Sequence, residues 1–494
     1  MPEPLPGHAT PEATRALASR HAAAAPHGHA PLGATGLVAS RLGFGGYRVD
    51  EEIPEHGEAL RAAIAAGCNL IDTSSNYTDG GSERLIGSVL RELAAAGLAR
   101  REEIVVVSKV GYVQGENLRL ALRRESDGRP FPEMVKYADG CWHCIHPEFL
   151  KDQLPRCLDR LGLERLDAWL LHNPEYYLSD AKRRPSADLP SIRKEFYRRL
   201  REAFACLEEA VGRGEIGSYG VSSNTAVSVP DDPEATSVSR MVEAAREACG
   251  PGHHFRILQI PLNLFEPGGA LTRNTGPLTG QTALEAAGAA GLAVLINRPL
   301  NALVGHRLVR RADPAPAPPR DGGATAGAGA AGAAEAADGL FRLAEQIAAL
   351  PDEIEDFAHW QQVERQYILP RLRLLAGAIR GEREGKALSM WDDWWGRMVP
   401  VLRDLLADSG RRAAEKGRGR LRAIHAALDR DLPRGRRRES LSRKALWVVA
   451  GTHGVGCVLA GMRRPAYVRD ATAILGWPPH PDPTAAYRRI RRLL

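Results

Sequence analysis

The 494-residue chain has no stretch of about eighteen uninterrupted apolar residues, so nothing in it reads as a membrane span. Cysteine is scarce and odd in number: seven, of which Cys68, Cys157, Cys206, Cys249 and Cys457 fall in helix-like or strand-like runs. That excludes the disulfide framework of a small secreted protein and points to a reducing, cytoplasmic compartment. Residues 1–32 lack the basic-then-apolar order of a signal peptide. Rich in Ala, Pro and His, residues 1–33 read as a flexible arm with a short helix near its middle. Neither sign of charge dominates: the net charge is +6, a mild bias that suits anionic ligands without making a nucleic-acid-binding protein.

What the chain does have, from Gly36 onward, is a regular alternation of short apolar runs with helix-period segments. The strand candidates are "RLGFGG" (41–46), "CNLIDTS" (68–74), "EIVVVSKVG" (103–111), "LDAWLLH" (166–172), "IGSYGVSS" (216–223), "RILQIPL" (256–262) and "LAVLINRP" (292–299). The helical runs between them end on Gly67 and Gly97, or, at 146–163, run up to the internal Pro155. Strands spaced by helices mean βαβ units and a parallel sheet.

After strand seven the pattern stops. Residues 311–338 are Ala/Gly/Pro-rich and read as a linker, and 339–439 read as helices with no strand signal. Trp391, Trp394 and Trp395 share a helix face, as the core of a small helical subdomain or, less simply, of a lid. An eighth strand, "VGCVLAG" (455–461), follows. The expected architecture is α/β: a (β/α)₈ TIM barrel of residues 34–300 and 440–494, with a mainly helical insertion between strands seven and eight. The whole is much longer than the roughly 250 residues of a bare barrel.

Polar residues gather at strand ends. Asp72 closes the second strand, with Tyr77 five residues on; Lys109 closes the third and His172 the fourth. Singly, each has an ordinary explanation: a helix-capping Asp, a solvated Lys, a hydrogen-bonded half-buried His. Barrel active sites, however, are built at the C-terminal strand ends, so the four are expected to converge.

These runs resemble the aldo/keto reductase family. The similar motifs are "IDTSSNYTDGGSERLIGSVL", "VVVSKVG", "LERLDAWLLHNP", "GEIGSYGVSSN" and "LQIPLNLF", in that order, over about residues 34–300 and 440–477. The resemblance implies an NAD(P)H-dependent oxidoreductase that interconverts a small-molecule aldehyde or ketone and an alcohol. Tyr77 would be the general acid, Lys109 the ammonium that lowers its pKa, Asp72 the partner of Lys109, and His172 the group that orients the carbonyl. Ser223, Asn224 and Gln259 would hold the nicotinamide carboxamide, with Gly45 and Gly46 giving close approach to its ribose. "GMRRPAYVRD" is similar to the family's adenosine-phosphate clamp; Arg463, with Arg464 beside it, implies NADP rather than NAD.

Two departures stand out. Asn297 and Arg298 occupy the place where many family members stack an aromatic ring on the nicotinamide, so Arg298 is assigned to the cofactor pyrophosphate instead. The family's Glu-Asn pair after the clamp is Asp470 and Ala471 here. Cys141, His143, Cys144 and His146 resemble only half a zinc site, so no metal is assigned. The alternative to an enzyme is a regulatory module that holds the cofactor as a ligand and presents the helical insertion to a partner.

Overall fold

The structure, a computed structural model, describes residues 3–184, 188–275, 280–304, 307–310, 339–340, 342–347, 354, 360–361, 363–381 and 383–493. The expected linker at 311–338 lies outside them. The chain divides into two compact units, Met1–Ala302 with Glu439–Arg491, and Leu303–Arg438 with Arg492–Leu494.

The first unit is a closed barrel of eight parallel strands: β1 (Leu42–Gly45), β2 (Leu70–Asp72), β3 (Val105–Val110), β4 (Leu166–His172), β5 (Ile216–Ser222), β6 (Phe255–Pro261), β7 (Ala293–Asn297) and β8 (Cys457–Ala460). Each strand pairs with the next in sequence, and β8 closes on β1. Near-continuous apolar runs such as "VVVSKV" are what a strand buried on both faces requires. Leu70, Val105, Val107, Leu170, Ile257, Leu295 and Leu459 belong to one buried cluster, with Leu32 and Ala39 joining from the N-terminal segment. Register then aligns the chemistry: Gly45 lies opposite Asp72, and Ser222 opposite both His172 and Gln259.

Residues before 34 do not stand free as an arm. Thr10 caps helix Pro11–His21, whose Thr14 and Leu17 are buried, and the Ala9 amide donates to Asp167 Oδ1 at 2.7 Å. Asp167 is buried with Arg101 (2.9 Å) and accepts the Val106 amide as well. A buried carboxylate has to be surrounded by donors, and the N-terminal segment supplies one that composition could not show.

Helix Pro147–Leu161 runs through Pro155 instead of stopping there. Proline removes one intrahelical donor, but Phe149, Leu150, Leu154, Cys157 and Leu161 bury one face and hold the helix together. Between β3 and β4 the chain adds a small antiparallel sheet, Tyr112–Val113, Val135–Ala138 and Cys141–His143. A final helix, Pro483–Arg491, was not expected either.

The second unit contains the helices Leu369–Gly381 and Gly385–Asp429. Its core gathers Trp360, Ile368, Leu372, Ile379, Trp391 and Leu406. Trp391 is packed in this core with its ring 5.0 Å from Trp394 and 5.5 Å from Trp395, while Trp394 is 37% exposed. The tryptophan face is therefore core at one edge only. Among the described residues no helix is long and apolar enough to cross a membrane.

Candidate active site

Asp72, Tyr77, Lys109 and His172 come together at the C-terminal end of β2–β4. The Lys109 side chain is fully buried; its Nζ donates to Asp72 Oδ2 (2.7 Å), to the Thr73 carbonyl (2.8 Å) and to Tyr77 OH (3.3 Å). The His172 ring stands edge-on to Tyr77, centroids 5.9 Å apart, and Tyr47 meets Tyr77 from the other side at 5.3 Å. His172 Nδ1 lies 3.0 Å from Ser74 Oγ.

Burial alone would discharge Lys109, but the Asp72 carboxylate and the Tyr77 phenol outweigh it and hold the ammonium above the ordinary lysine range. Lys109 acts on Tyr77 in the expected sense, drawing its phenol down, while burial works the other way and leaves it above the ordinary value. The group therefore keeps its proton at neutral pH. Burial, then the Lys109 charge, push His172 well below the usual histidine range, so its imidazole is neutral.

The expected cofactor residues distribute less simply. Gln259 is buried and turned to the acid: its Nε2 donates to Asp72 Oδ1 at 2.7 Å, and its Oε1 accepts from Ser222 Oγ at 3.1 Å. Ser223 Oγ accepts the amides of Thr225 and Ala226, shaping the loop after β5. A side chain on Gly46 would sit 2.7 Å from the Asp72 carbonyl and Ser82 Oγ, so strand packing itself demands glycine there; Gly45 is less confined. Arg298, in the left-handed region (φ 51°), reaches Glu266 at 3.4 Å. Past β8, Arg464 meets Glu55 at 3.4 Å on the surface, and Arg463 is half-buried. Asp470 accepts from Ser442 and pairs with Arg443, so it ties down helix Leu441–Ala450.

Several contributors escaped sequence reasoning. Glu175, three residues past His172, is buried, and its Oε1 accepts the Asn224 amide at 2.7 Å. His143 of the added sheet donates from Nε2 to the His172 carbonyl (2.7 Å) and stacks on Tyr176. Tyr112 packs edge-on against His172 at 4.7 Å and accepts a hydrogen bond from Asn173 Nδ2. The signal available for Glu175 was an acid in a strand-end loop; nothing marked His143 except its place in the half-zinc pattern. Of that pattern, Cys141 accepts from Gln114 and His146 caps helix Pro147–Leu161.

At the ends of β4 and β7, Asn173 Oδ1, Glu175 Oε2, Asn297 Oδ1 and Arg298 Nε are buried without hydrogen-bond partners among the described residues. Buried polar atoms are nearly always satisfied, so such a set fits a polar ligand such as a nicotinamide with its carboxamide and ribose.

Glu175 also gives a stability prediction. Burial raises its carboxyl to about 7 from the ordinary 4.5. A raised acid favours the folded state when protonated, so this contribution is complete below about 4.5 and is lost as the pH climbs through about 7. Ligand-free protein should show a drop in Tm between pH 5 and pH 8 that shrinks in Glu175→Gln, measured by calorimetry. An unchanged drop in the variant would remove Glu175 from the account.

Residues 41–236 match the model of the aldo/keto reductase family. The chain is 27% identical over 150 residues to the NADH-specific methylglyoxal reductase of Escherichia coli, covering 29% of this chain and 40% of that protein. It is 30% identical over 185 residues to an aldo-keto reductase of Mycolicibacterium paratuberculosis (37% and 44%), and 23% identical over 211 residues to the NADPH-dependent D-xylose reductase of Candida boidinii (40% and 52%). The chain thus spans about half the length of these relatives. An aldo-keto reductase structure from Bacillus halodurans aligns over 94% of this chain and 95% of that one at 15% identity with a TM-score of 0.47, too loose a likeness to add to the assignment. Residues 41–236, which build β1 to β5, are thus similar to the aldo/keto reductase family, whose model they match and whose name the Mycolicibacterium relative carries.

Proposed function

We propose that the barrel is an NAD(P)H-dependent oxidoreductase that interconverts a small-molecule aldehyde or ketone and the corresponding alcohol, with Tyr77 as general acid and base. The observation that carries this reading is a phenol 3.3 Å from the Lys109 nitrogen, which is itself buried against Asp72. A bound nicotinamide would supply or accept the hydride. Tyr77 OH would deliver a proton to the carbonyl oxygen, and the fixed Lys109 charge would stabilise the phenolate left behind. Asp72 would keep Lys109 charged and aimed, and Gln259 would hold the second Asp72 oxygen.

His172 would orient the carbonyl through Nε2. Ser74 Oγ lies 3.0 Å from His172 Nδ1 and 2.7 Å from Asn76 Oδ1, and its single proton serves only one of them. The tautomer with its proton on Nε2 would give the donor that a carbonyl needs. Asn224, Glu175, Asn297 and Arg298 would meet the nicotinamide half, with Ser223 shaping the loop and Gly45 and Gly46 leaving room beside it. Arg463 and Arg464 would take the adenosine phosphate, favouring NADP over NAD; the named relatives use either. The domain reading follows: residues 34–300 and 440–494 do the chemistry in the cytoplasm, and 311–338 link to the helical insertion at 339–439.

The test is oxidation of NADPH and of NADH by the full chain with a panel of aldehydes and ketones. Turnover with NADPH several-fold faster than with NADH is the expected result. Tight cofactor binding with no turnover on any carbonyl would favour a regulatory, cofactor-holding module instead.

A further inference from the structure

A cavity of about 650 Å³ opens at the end of the barrel opposite Tyr77. It is framed by the starts of strands: Arg41 immediately precedes β1, Ala293 and Val294 begin β7, and Gly456 immediately precedes β8. The buried Trp447 and Trp477 contribute apolar wall. No Asp or Glu lines it; its titratable side chains are Arg41 and the exposed His27 and His453.

Arg41 is the unusual element. Among the described residues its side chain makes one hydrogen bond, a long donation from Nη1 to the Ala450 carbonyl at 3.4 Å, and no ion pair. Its Nε is buried with no acceptor. Burial works against its charge, and no carboxylate acts on it to compensate. A half-buried cation without a counter-ion is a costly arrangement. The carbonyl end of helix Leu441–Ala450 offsets only part of it, since a helix terminus carries about half a charge. An anion would satisfy Arg41, and the space beside it is of ordinary ligand size.

We propose that this cavity is a second ligand site, separate from the barrel mouth, for a small aromatic carboxylate. The carboxylate would take the unfilled hydrogen-bonding positions of the Arg41 guanidinium, whose planar fork matches its two oxygens. The flat apolar body would lie toward Trp447 and Trp477. The absence of any acid from the lining selects an anion over a cation or a neutral analogue.

The experiment is isothermal titration of the full chain with benzoate and with its neutral analogue benzamide. Benzoate should bind the unmodified chain roughly tenfold or more tightly than benzamide, the size of a charge-assisted contact. Arg41→Met should erase that preference, and Arg41→Lys should retain part of it. Ala34→Trp, an exposed lining position where a large ring would fill the space, should abolish binding of both. It decides the matter even where Arg41→Met does not fold. No benzoate binding to the unmodified chain, equal affinity for the two probes, or binding that survives both Arg41→Met and Ala34→Trp would overturn the proposal. The last of these outcomes would place the anion at the mouth.

Discussion

Tyr77→Phe should lower kcat for carbonyl reduction by roughly a hundred- to ten-thousand-fold while leaving cofactor affinity within about twofold. The substitution removes one oxygen and little else. Phe preserves the edge contacts of the ring with Tyr47 and His172. Lys109 keeps its two shorter bonds, to Asp72 and to the Thr73 carbonyl, so the ion pair beneath the ring persists. The missing hydroxyl is the one that Lys109 Nζ bonds at 3.3 Å, where the proposed proton transfer needs it. Fluorescence titration with NADPH, beside steady-state kinetics on the best carbonyl of the panel, separates the two quantities. A kcat within about tenfold of the parent would move the acid's role to His172, because a general acid contributes at least a hundredfold. A parallel loss of cofactor affinity would instead make Tyr77 a packing residue of the cofactor site.

That such a residue could be singled out from sequence follows from the repeat. In a parallel barrel every strand delivers its C-terminal end to the same rim, so Asp72, Lys109 and His172 needed only correct strand boundaries to be brought together, and those boundaries are written in runs such as "VVVSKV" and "LDAWLLH". Tyr77 came with Asp72 through the short loop that follows β2. What sequence could not supply was the partner choice of each side chain. Gln259 reads as a ligand for a nicotinamide, yet it lies 2.7 Å from Asp72, a residue 187 positions away. The direction of the Tyr77 shift depends on how completely the phenol is desolvated, which no local motif encodes. The same holds for the N-terminal segment, whose composition suggests mobility until Asp167 is seen to need the Ala9 amide. Pro155 erred in the opposite sense: a strong local signal for a helix end is overridden by five buried apolar side chains.

Lys109→Met should destabilise the fold by about 3–5 kcal/mol at neutral pH, because removing one partner of a buried pair leaves the other charge uncompensated. Asp72 is that charge. Its side chain is 5% exposed, and without Lys109 its remaining donor among the described residues is Gln259 Nε2. The sign of the pH dependence distinguishes this from loss of packing. Burial already pushes the Asp72 carboxyl up, and Lys109 is the main force drawing it down. Removing Lys109 raises it further, so the variant's deficit should shrink as the pH falls and Asp72 takes up a proton. A deficit that stays constant from pH 8 to pH 5 in denaturant titrations would mean that the lysine stem, not its charge, was what mattered. The double variant Lys109→Met/Asp72→Asn carries the argument to function. It removes both charges and keeps a side-chain oxygen for Gln259, so most of the stability should return. Turnover should not return, since the phenolate of Tyr77 would then have no cation beside it. Stability and activity recovering together would contradict the role given to Lys109. Stability recovering alone would show that this buried pair is kept for the proton it manages, at a site where an uncharged pair would fold as well.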